Sequence, residues 1–120
     1  MPEIDENCKI CKVQDNANHI IFNCNLSKHI WNKVGQALNL QIQIKNIILN
    51  EYNDAENETL TTVTYLLYKY WIEITNNRSY RSNEEIDQYM KKNLICHSKI
   101  LEFRNRNQEA GNAQKIANIL

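Results

Sequence analysis

The 120-residue sequence has very little glycine and proline: two glycines, Gly35 and Gly111, and a single proline. Because the two glycines lie far apart, the chain has no glycine-rich loop that could cradle a phosphate group. The scarcity of proline, with 42% hydrophobic residues, argues against a flexible linker or a disordered tail. Nineteen asparagines are interpreted as coding bias. A chain of this length is expected to form one domain.

Long apolar runs and an excess of charge of either sign are also missing. The longest apolar runs have three or four residues, as in residues 47–49 and 65–68, whereas a membrane-spanning helix needs about 20. Fourteen basic and fourteen acidic side chains cancel, which excludes a uniformly basic nucleic-acid-binding surface. We expect no membrane partner. The N-terminus is acidic where a secretory signal is basic, which predicts an intracellular protein of the nucleus or cytoplasm.

Helical periodicity dominates the sequence and predicts a mainly α fold. A first helix is expected to begin near Asn25 or Ser27, because either side chain is suited to an N-cap. The clearest apolar stripe covers residues 58–75 and predicts a long helix. Residues 42–49 are ambiguous between a strand and a short helix, and residues 50–58 are polar enough to form a loop.

The C-terminal part of the chain is predicted to contain one further long helix over residues 82–107. Ser82 and Glu85 have the spacing of a capping box at its start. Gly111 is expected to mark a later stop. The final segment, residues 113–120, is expected to form a short, frayed helix.

Three cysteines and one histidine lie close together near the N-terminus. Cys8, Cys11, His19 and Cys24 form the pattern Cys-x2-Cys-x7-His-x4-Cys. Zinc favours four thiolate or imidazole ligands in a tetrahedron, and a two-residue spacer presents two thiolates from one tight turn. Four protein ligands leave no position for a catalytic water. The pattern therefore predicts one structural zinc ion.

Two other interpretations of these cysteines are a redox CxxC motif and unrelated thiols in the core. A thioredoxin-like motif requires a βαβ context, which this helical sequence lacks. His29 is an alternative ligand, although the spacing of His19 fits better. Metal binding would stabilise a segment too short and polar to fold by burial alone. We expect a CCHC zinc knuckle over residues 1–25, packed as one compact unit on a bundle of about four helices over residues 26–120.

The motif CKIC…NHIIFNC, followed by KHIW, resembles the zinc-binding segment after the polymerase domain of non-LTR (LINE-type) retrotransposon reverse transcriptases. In that family a tryptophan follows the last cysteine at a similar distance, which matches Trp31. The gap before His19 fits the LINE-type arrangement better than the shorter gap of the retroviral knuckle. Weaker similarity continues through Tyr70-Trp71, Asn77-Arg78 and the helix that follows. The resemblance covers most of the chain, and only the ligand cluster is specific.

The resemblance implies a role in holding template RNA or target DNA during reverse transcription. The chain has no neighbouring pair of polymerase aspartates, and 120 residues cannot hold a polymerase. We therefore expect the C-terminal module of such a protein or a stand-alone descendant. No nucleophile–base motif marks another reaction, so we expect neither an enzyme nor a small-molecule substrate.

The charges are unevenly distributed, because residues 91–120 carry six basic and two acidic side chains and each earlier quarter is net acidic. On a helical wheel, four basic residues of this part are predicted to share an arc opposite the apolar residues. They are Lys91, Lys92, Lys99 and Arg106. Such an arc can follow the phosphates of a nucleic acid. The plainer interpretation is the solvated face of an amphipathic helix. The candidate nucleic-acid-binding residues are Lys91, Lys92, Lys99, Arg106, Arg78 and Arg81.

Two aromatic residues and one Cys-His pair have competing interpretations. Trp31 and Trp71 could stack on bases, although their helical spacing favours burial. Cys96 and His97 suggest a second metal site, but a buried thiol and a core histidine are favoured because no other ligand is near. Two functions follow: binding of RNA or DNA, or a domesticated retroelement-derived protein–protein interaction domain without nucleic-acid binding.

Overall fold

The chain folds into helices joined by short turns in a computed structural model, which describes Cys11, residues 19–77 and residues 82–120. This part contains no strand, so the predicted mainly α fold is confirmed. No described helix is both long and apolar enough to cross a membrane. A π-helical turn over His19–Asn23 precedes α1 (Asn25–Leu38), α2 (Ile44–Ile48), α3 (Asp54–Asn77), α4 (Asn83–Phe103) and α5 (Asn107–Ile119).

The hydrophobic core lies between α1, α3, α4 and α5. The apolar faces predicted from helical periodicity are confirmed for most of their described residues, which are buried. Burial of such aliphatic side chains supplies the main favourable term in folding. The largest fully buried side chains are Ile30, Val34, Leu60, Val63, Leu67, Ile86, Met90, Leu94 and Ile116.

Helix α5 is longer and better packed than the sequence predicts. It starts at Asn107 instead of residue 113, and it packs against α4, α1 and α3. Its inner face consists largely of Ala110, Ala113 and Ala117, all buried. The prediction of a short, frayed helix is therefore wrong. Small side chains let helices approach closely, but they give a weak hydrophobic signal in the sequence. Gly111 lies inside α5 and is not a stop.

The start of α3 also differs from its predicted position, because it begins four residues earlier, at Asp54. The Asn53 side chain accepts a hydrogen bond from the Glu56 amide at 2.8 Å, and the Glu56 carboxylate accepts one from the Asn53 amide at 3.2 Å. These two bonds form a reciprocal capping box. The spacing of Asn53 and Glu56 was therefore the sequence signal for this boundary. The cap predicted for α4 is confirmed in part, because Ser82 Oγ accepts from the Glu85 amide at 3.1 Å.

Asparagines take the left-handed positions that glycine usually occupies after a helix. Asn39, Asn50 and Asn105 have φ values of 55°, 52° and 61°, and they follow α1, α2 and α4. In each case the next residue donates its amide to a carbonyl five positions back, as in the 2.8 Å bond from Arg106 to Leu101. This is the 6→1 bond of a Schellman turn. These three asparagines, like Asn53 in the capping box of α3, thus have a structural role beyond coding bias.

Helix α4 consequently ends at Phe103, four residues before the predicted end at residue 107. The left-handed residue Asn105 reverses the chain into α5. The Asn39 turn has a second requirement, because a Cβ at Gly35 would lie 2.9 Å from the carbonyl oxygen of Leu40. Alanine at Gly35 would therefore force the chain after α1 to move.

Replacing Asn105 tests the left-handed turn. Asn105→Ala should lower the free energy of unfolding by about 1 kcal/mol, because alanine is disfavoured in this conformation. Asn105→Gly should be neutral or stabilising. The control is Asn32→Ala in the middle of α1, exposed, which should stabilise by up to about 0.7 kcal/mol. Urea denaturation measures all three. Equal effects of alanine at both positions would contradict the role of Asn105.

Candidate metal centre and basic face

Three of the four predicted metal ligands come together in the structure. The ligand atoms of Cys11, His19 and Cys24 all lie within 4.8 Å of one another, close enough to bind a metal ion. His19 and Cys24 are buried, and Cys11 is half-buried. Cys8, the fourth predicted ligand, lies outside the described residues.

The distance between the two sulfurs fits a shared metal ion. Cys11 Sγ and Cys24 Sγ are 3.9 Å apart. Two zinc–sulfur bonds of about 2.3 Å at a tetrahedral angle would place the sulfurs about 3.8 Å apart. A disulfide would require about 2.05 Å, so these two sulfurs are not bonded to each other. The donor set and its spacing therefore fit zinc without rearrangement of the sulfurs.

The π-helical turn positions His19 relative to Cys24. Its closing hydrogen bond runs from the Cys24 amide to the His19 carbonyl at 2.6 Å. Trp31 Nε1 donates to the Ile21 carbonyl at 2.7 Å, which ties the turn to α1. Ile21 and Phe22 pack against the core. Single π-turns are frequent at functional sites.

The start of α1 supplies the electrostatic environment of the cluster. Cys24 is the N-cap residue of α1, so neither Asn25 nor Ser27 has the capping role predicted for it. The Asn25 amide donates to Cys11 Sγ at 3.3 Å. Amides at a helix N-terminus carry partial positive charge, which would interact favourably with a metal-bound thiolate. The first turn of α1 contains no acidic residue to oppose this effect.

The other histidines and the fourth cysteine lie elsewhere. His29 Nε2 is 2.8 Å from Asp87 Oδ1, and Lys33 Nζ contacts Asp87 Oδ2 at 3.1 Å. His29 thus links α1 to α4. His97 is half-buried, with Nε2 3.4 Å from Thr62 Oγ1. Cys96 is exposed, so the predicted buried thiol is wrong: its position on α4 points away from the bundle.

The three candidate lysines of α4 form an exposed face. Lys91, Lys92 and Lys99 are all exposed. Lys92 and Lys99 lie opposite the buried residues of the same helix, whereas Lys91 lies nearer to them, about 80° around the helix axis from their centre. None of them forms an ion pair with a carboxylate in the described part of the chain. We call these three residues the α4 lysine face. In that part of the chain no carboxylate lies within ion-pair distance of these lysines, in contrast to Lys33, which pairs with Asp87.

Arg106 does not belong to this face, because α4 ends before it and Arg106 is the N-cap residue of α5. Its guanidinium contacts the carboxylates of Glu58 and Glu109. The Glu109 pKa is lowered, first by a hydrogen bond from its own backbone amide and then by Arg106. The expectation that Arg106 shares an arc with the lysines is therefore wrong. Arg78 and Arg81 lie outside the described residues.

The aromatic residues divide between the core and the surface. Trp31 is 6% exposed, so burial is confirmed, and Trp71 is half-buried against the core. Tyr70 and Tyr89 have ring centroids 5.1 Å apart between α3 and α4. Burial, then Glu73 and Tyr65, raises the pKa of Tyr89 to about 12. Sequence reasoning missed Phe103, which is 90% exposed. Its signal was an aromatic residue four positions after Lys99.

Comparison with known protein families, with curated proteins and with solved structures finds no match to this chain. The assignment of ligands therefore depends on the sequence spacing and on the geometry of Cys11, His19 and Cys24.

Serine substitutions test the ligand cluster. Cys11→Ser and Cys24→Ser should each lower the affinity for cobalt(II), a spectroscopic substitute for zinc, at least about tenfold, because each removes a thiolate ligand. Cys96→Ser is the matched control and should bind as the native chain does. The measurement is a titration of thiolate-to-cobalt absorption. Equal affinities in all three variants would contradict the cluster.

Proposed function

We propose that this chain is a non-catalytic zinc-binding module that binds RNA or DNA, as its resemblance to the reverse-transcriptase zinc-binding domain implies. The observation that carries the metal part is the 3.9 Å separation of two cysteine sulfurs beside His19. Zinc would be held by Cys8, Cys11, His19 and Cys24. It would supply a structural cross-link between the N-terminal segment and the start of α1.

The α4 lysine face supports the nucleic-acid part of the proposal. Within the described residues, none of these three exposed ammonium groups pairs with a carboxylate, so they are available to phosphates. Each phosphate contact releases counterions and makes affinity fall with salt. Arg106 contributes less here, because two carboxylates already balance its charge.

A second candidate function is protein–protein interaction, and one observation favours it. Helix α2 and the residue after it expose Ile44, Ile48 and Leu49, with Ile48 64% and Leu49 62% exposed. Exposed apolar residues that lie together mark interaction sites in many proteins. Such a domain would use α2 instead of the α4 lysine face.

Metal removal tests the zinc part. The purified chain should contain about one zinc per molecule. A chelator should accelerate amide hydrogen exchange in the turn His19–Asn23, because the turn would lose its cross-link to Cys11. Exchange in α4 and α5 should change much less, since their core is aliphatic. Unchanged exchange in the turn after verified metal loss would rule out a structural role.

A salt series tests the nucleic-acid part. Binding of a labelled RNA hairpin with a single-stranded tail is measured by fluorescence anisotropy at salt concentrations between about 50 and 200 mM. Three lysine contacts predict a slope of log affinity against log salt of about −2 to −3. Replacing Lys91, Lys92 and Lys99 by glutamine should abolish most of this slope.

The matched control replaces three other exposed lysines, Lys45, Lys69 and Lys115, by glutamine. It removes the same charge from α2, α3 and α5 and should leave the slope nearly unchanged. Equal effects of both triple variants would mean that binding follows net charge and not the α4 face. If the chain binds no RNA at low salt, and Ile48→Asp abolishes its binding to another protein, the second candidate function is favoured.

A further inference from the structure

Phe103 has an exposure that the fold does not explain. Its side chain is 90% exposed, the highest value among the large hydrophobic residues of the described chain. It is the last residue of α4, next to the turn at Asn105. An aromatic ring in water gains nothing for stability, because only buried apolar surface does so. Its aromatic faces are therefore available to another molecule.

Two lysines lie in line with Phe103 on the surface of α4. With 3.6 residues per turn, Lys92, Lys99 and Phe103 fall within about 40° of one another around the helix axis. They span about 16 Å along the helix, over which one strand of B-form DNA presents about five phosphates. Lys99 is one helical turn from Phe103, so the two side chains are neighbours. We call these three residues the α4 row.

We propose that the α4 row binds a single-stranded nucleic acid, with a base stacked on Phe103 and the adjoining phosphates on Lys99 and Lys92. This inference rests on the proposed function and adds the strandedness of the ligand and the residue that contacts a base. Sequence-independent binders of single strands combine a basic track with aromatic side chains on which bases stack. The α4 row has both parts on one helix.

The neighbouring residues limit the row at its N-terminal end. Glu84 and Glu85 occupy the first turn of α4, where they would repel phosphates. Towards the C-terminus, Arg104 follows Phe103 and is exposed, so positive charge continues past the ring. Glu102 is exposed beside Lys99, and its negative charge lowers the local positive potential on the flank of the α4 row that faces it.

The same residues fit a duplex or a protein less well. A paired base is stacked on both sides within a duplex, so it has no free face for Phe103, whereas an unpaired base does. Protein interfaces are depleted in lysine at their centres, and two of the three residues of the α4 row are exposed lysines. Charge and ring together therefore favour a single strand.

The experiment uses the full chain and two labelled oligonucleotides of one sequence, one single-stranded and one paired with its complement. Phe103→Leu keeps the apolar surface and removes the aromatic face. It should weaken single-strand binding about 5- to 100-fold and leave the salt slope unchanged. Lys92→Gln should instead reduce that slope by about 0.7. Phe103→Trp keeps an aromatic face and should bind the single strand as the native chain does. Because Phe103 and Lys92 are exposed, these variants should fold.

Tyr68→Leu is the control for an exposed aromatic residue elsewhere, since Tyr68 lies on α3 and is 37% exposed. It should bind as the native chain does. Native binding with no loss in Phe103→Leu would overturn this inference and leave the proposed function intact. Equal affinity for the duplex and the single strand would also overturn it. Absence of any binding by the native chain would instead refute the proposed function.

Discussion

Cys24 belongs at once to the hydrophobic core and to the candidate metal cluster, and this double role links the two parts of the chain. Its side chain is fully buried, it is the N-cap residue of α1, and its sulfur lies 3.9 Å from that of Cys11. A metal ion on these sulfurs would be attached to a residue that cannot move without opening the core. The bundle therefore fixes one ligand, and a bound metal would fix Cys11 and His19 relative to it.

The ligand cluster could be predicted from the sequence because it depends on short spacings. Cys24 follows His19 by five residues, and the π-turn between them, closed by the hydrogen bond from the Cys24 amide to the His19 carbonyl, brings the pair together. The buried faces of α3 and α4 could be predicted from the sequence equally well, since aliphatic residues at helical spacing leave few alternatives to a helix. What spacing did not reveal is that Trp31 donates to the Ile21 carbonyl and holds the turn on α1.

The errors have physical causes that composition conceals. Helix α5 was predicted too short because its buried alanines carry little hydropathy, and its position depends on contacts with three other helices. The end of α4 was misplaced because Asn105 takes a left-handed conformation that nothing distinguishes among nineteen asparagines. Because α4 ends before Arg106, Arg106 does not lie on the predicted basic arc. One turn residue thus changed the assignment of a candidate binding residue.

The formal charge of zero does not describe the surface that a ligand would meet. Asp87 pairs with Lys33, and Glu58 and Glu109 pair with Arg106, whereas the lysines of the α4 lysine face pair with no carboxylate among the described residues. The molecule extends 52 Å in its longest direction, and charges are screened over about 8 Å at physiological salt. Acidic groups on distant helices therefore cancel the lysines in a sum but not in the local field. A phosphate near α4 would experience Lys92 and Lys99 far more strongly than the total, which is why a neutral chain can still present a binding face.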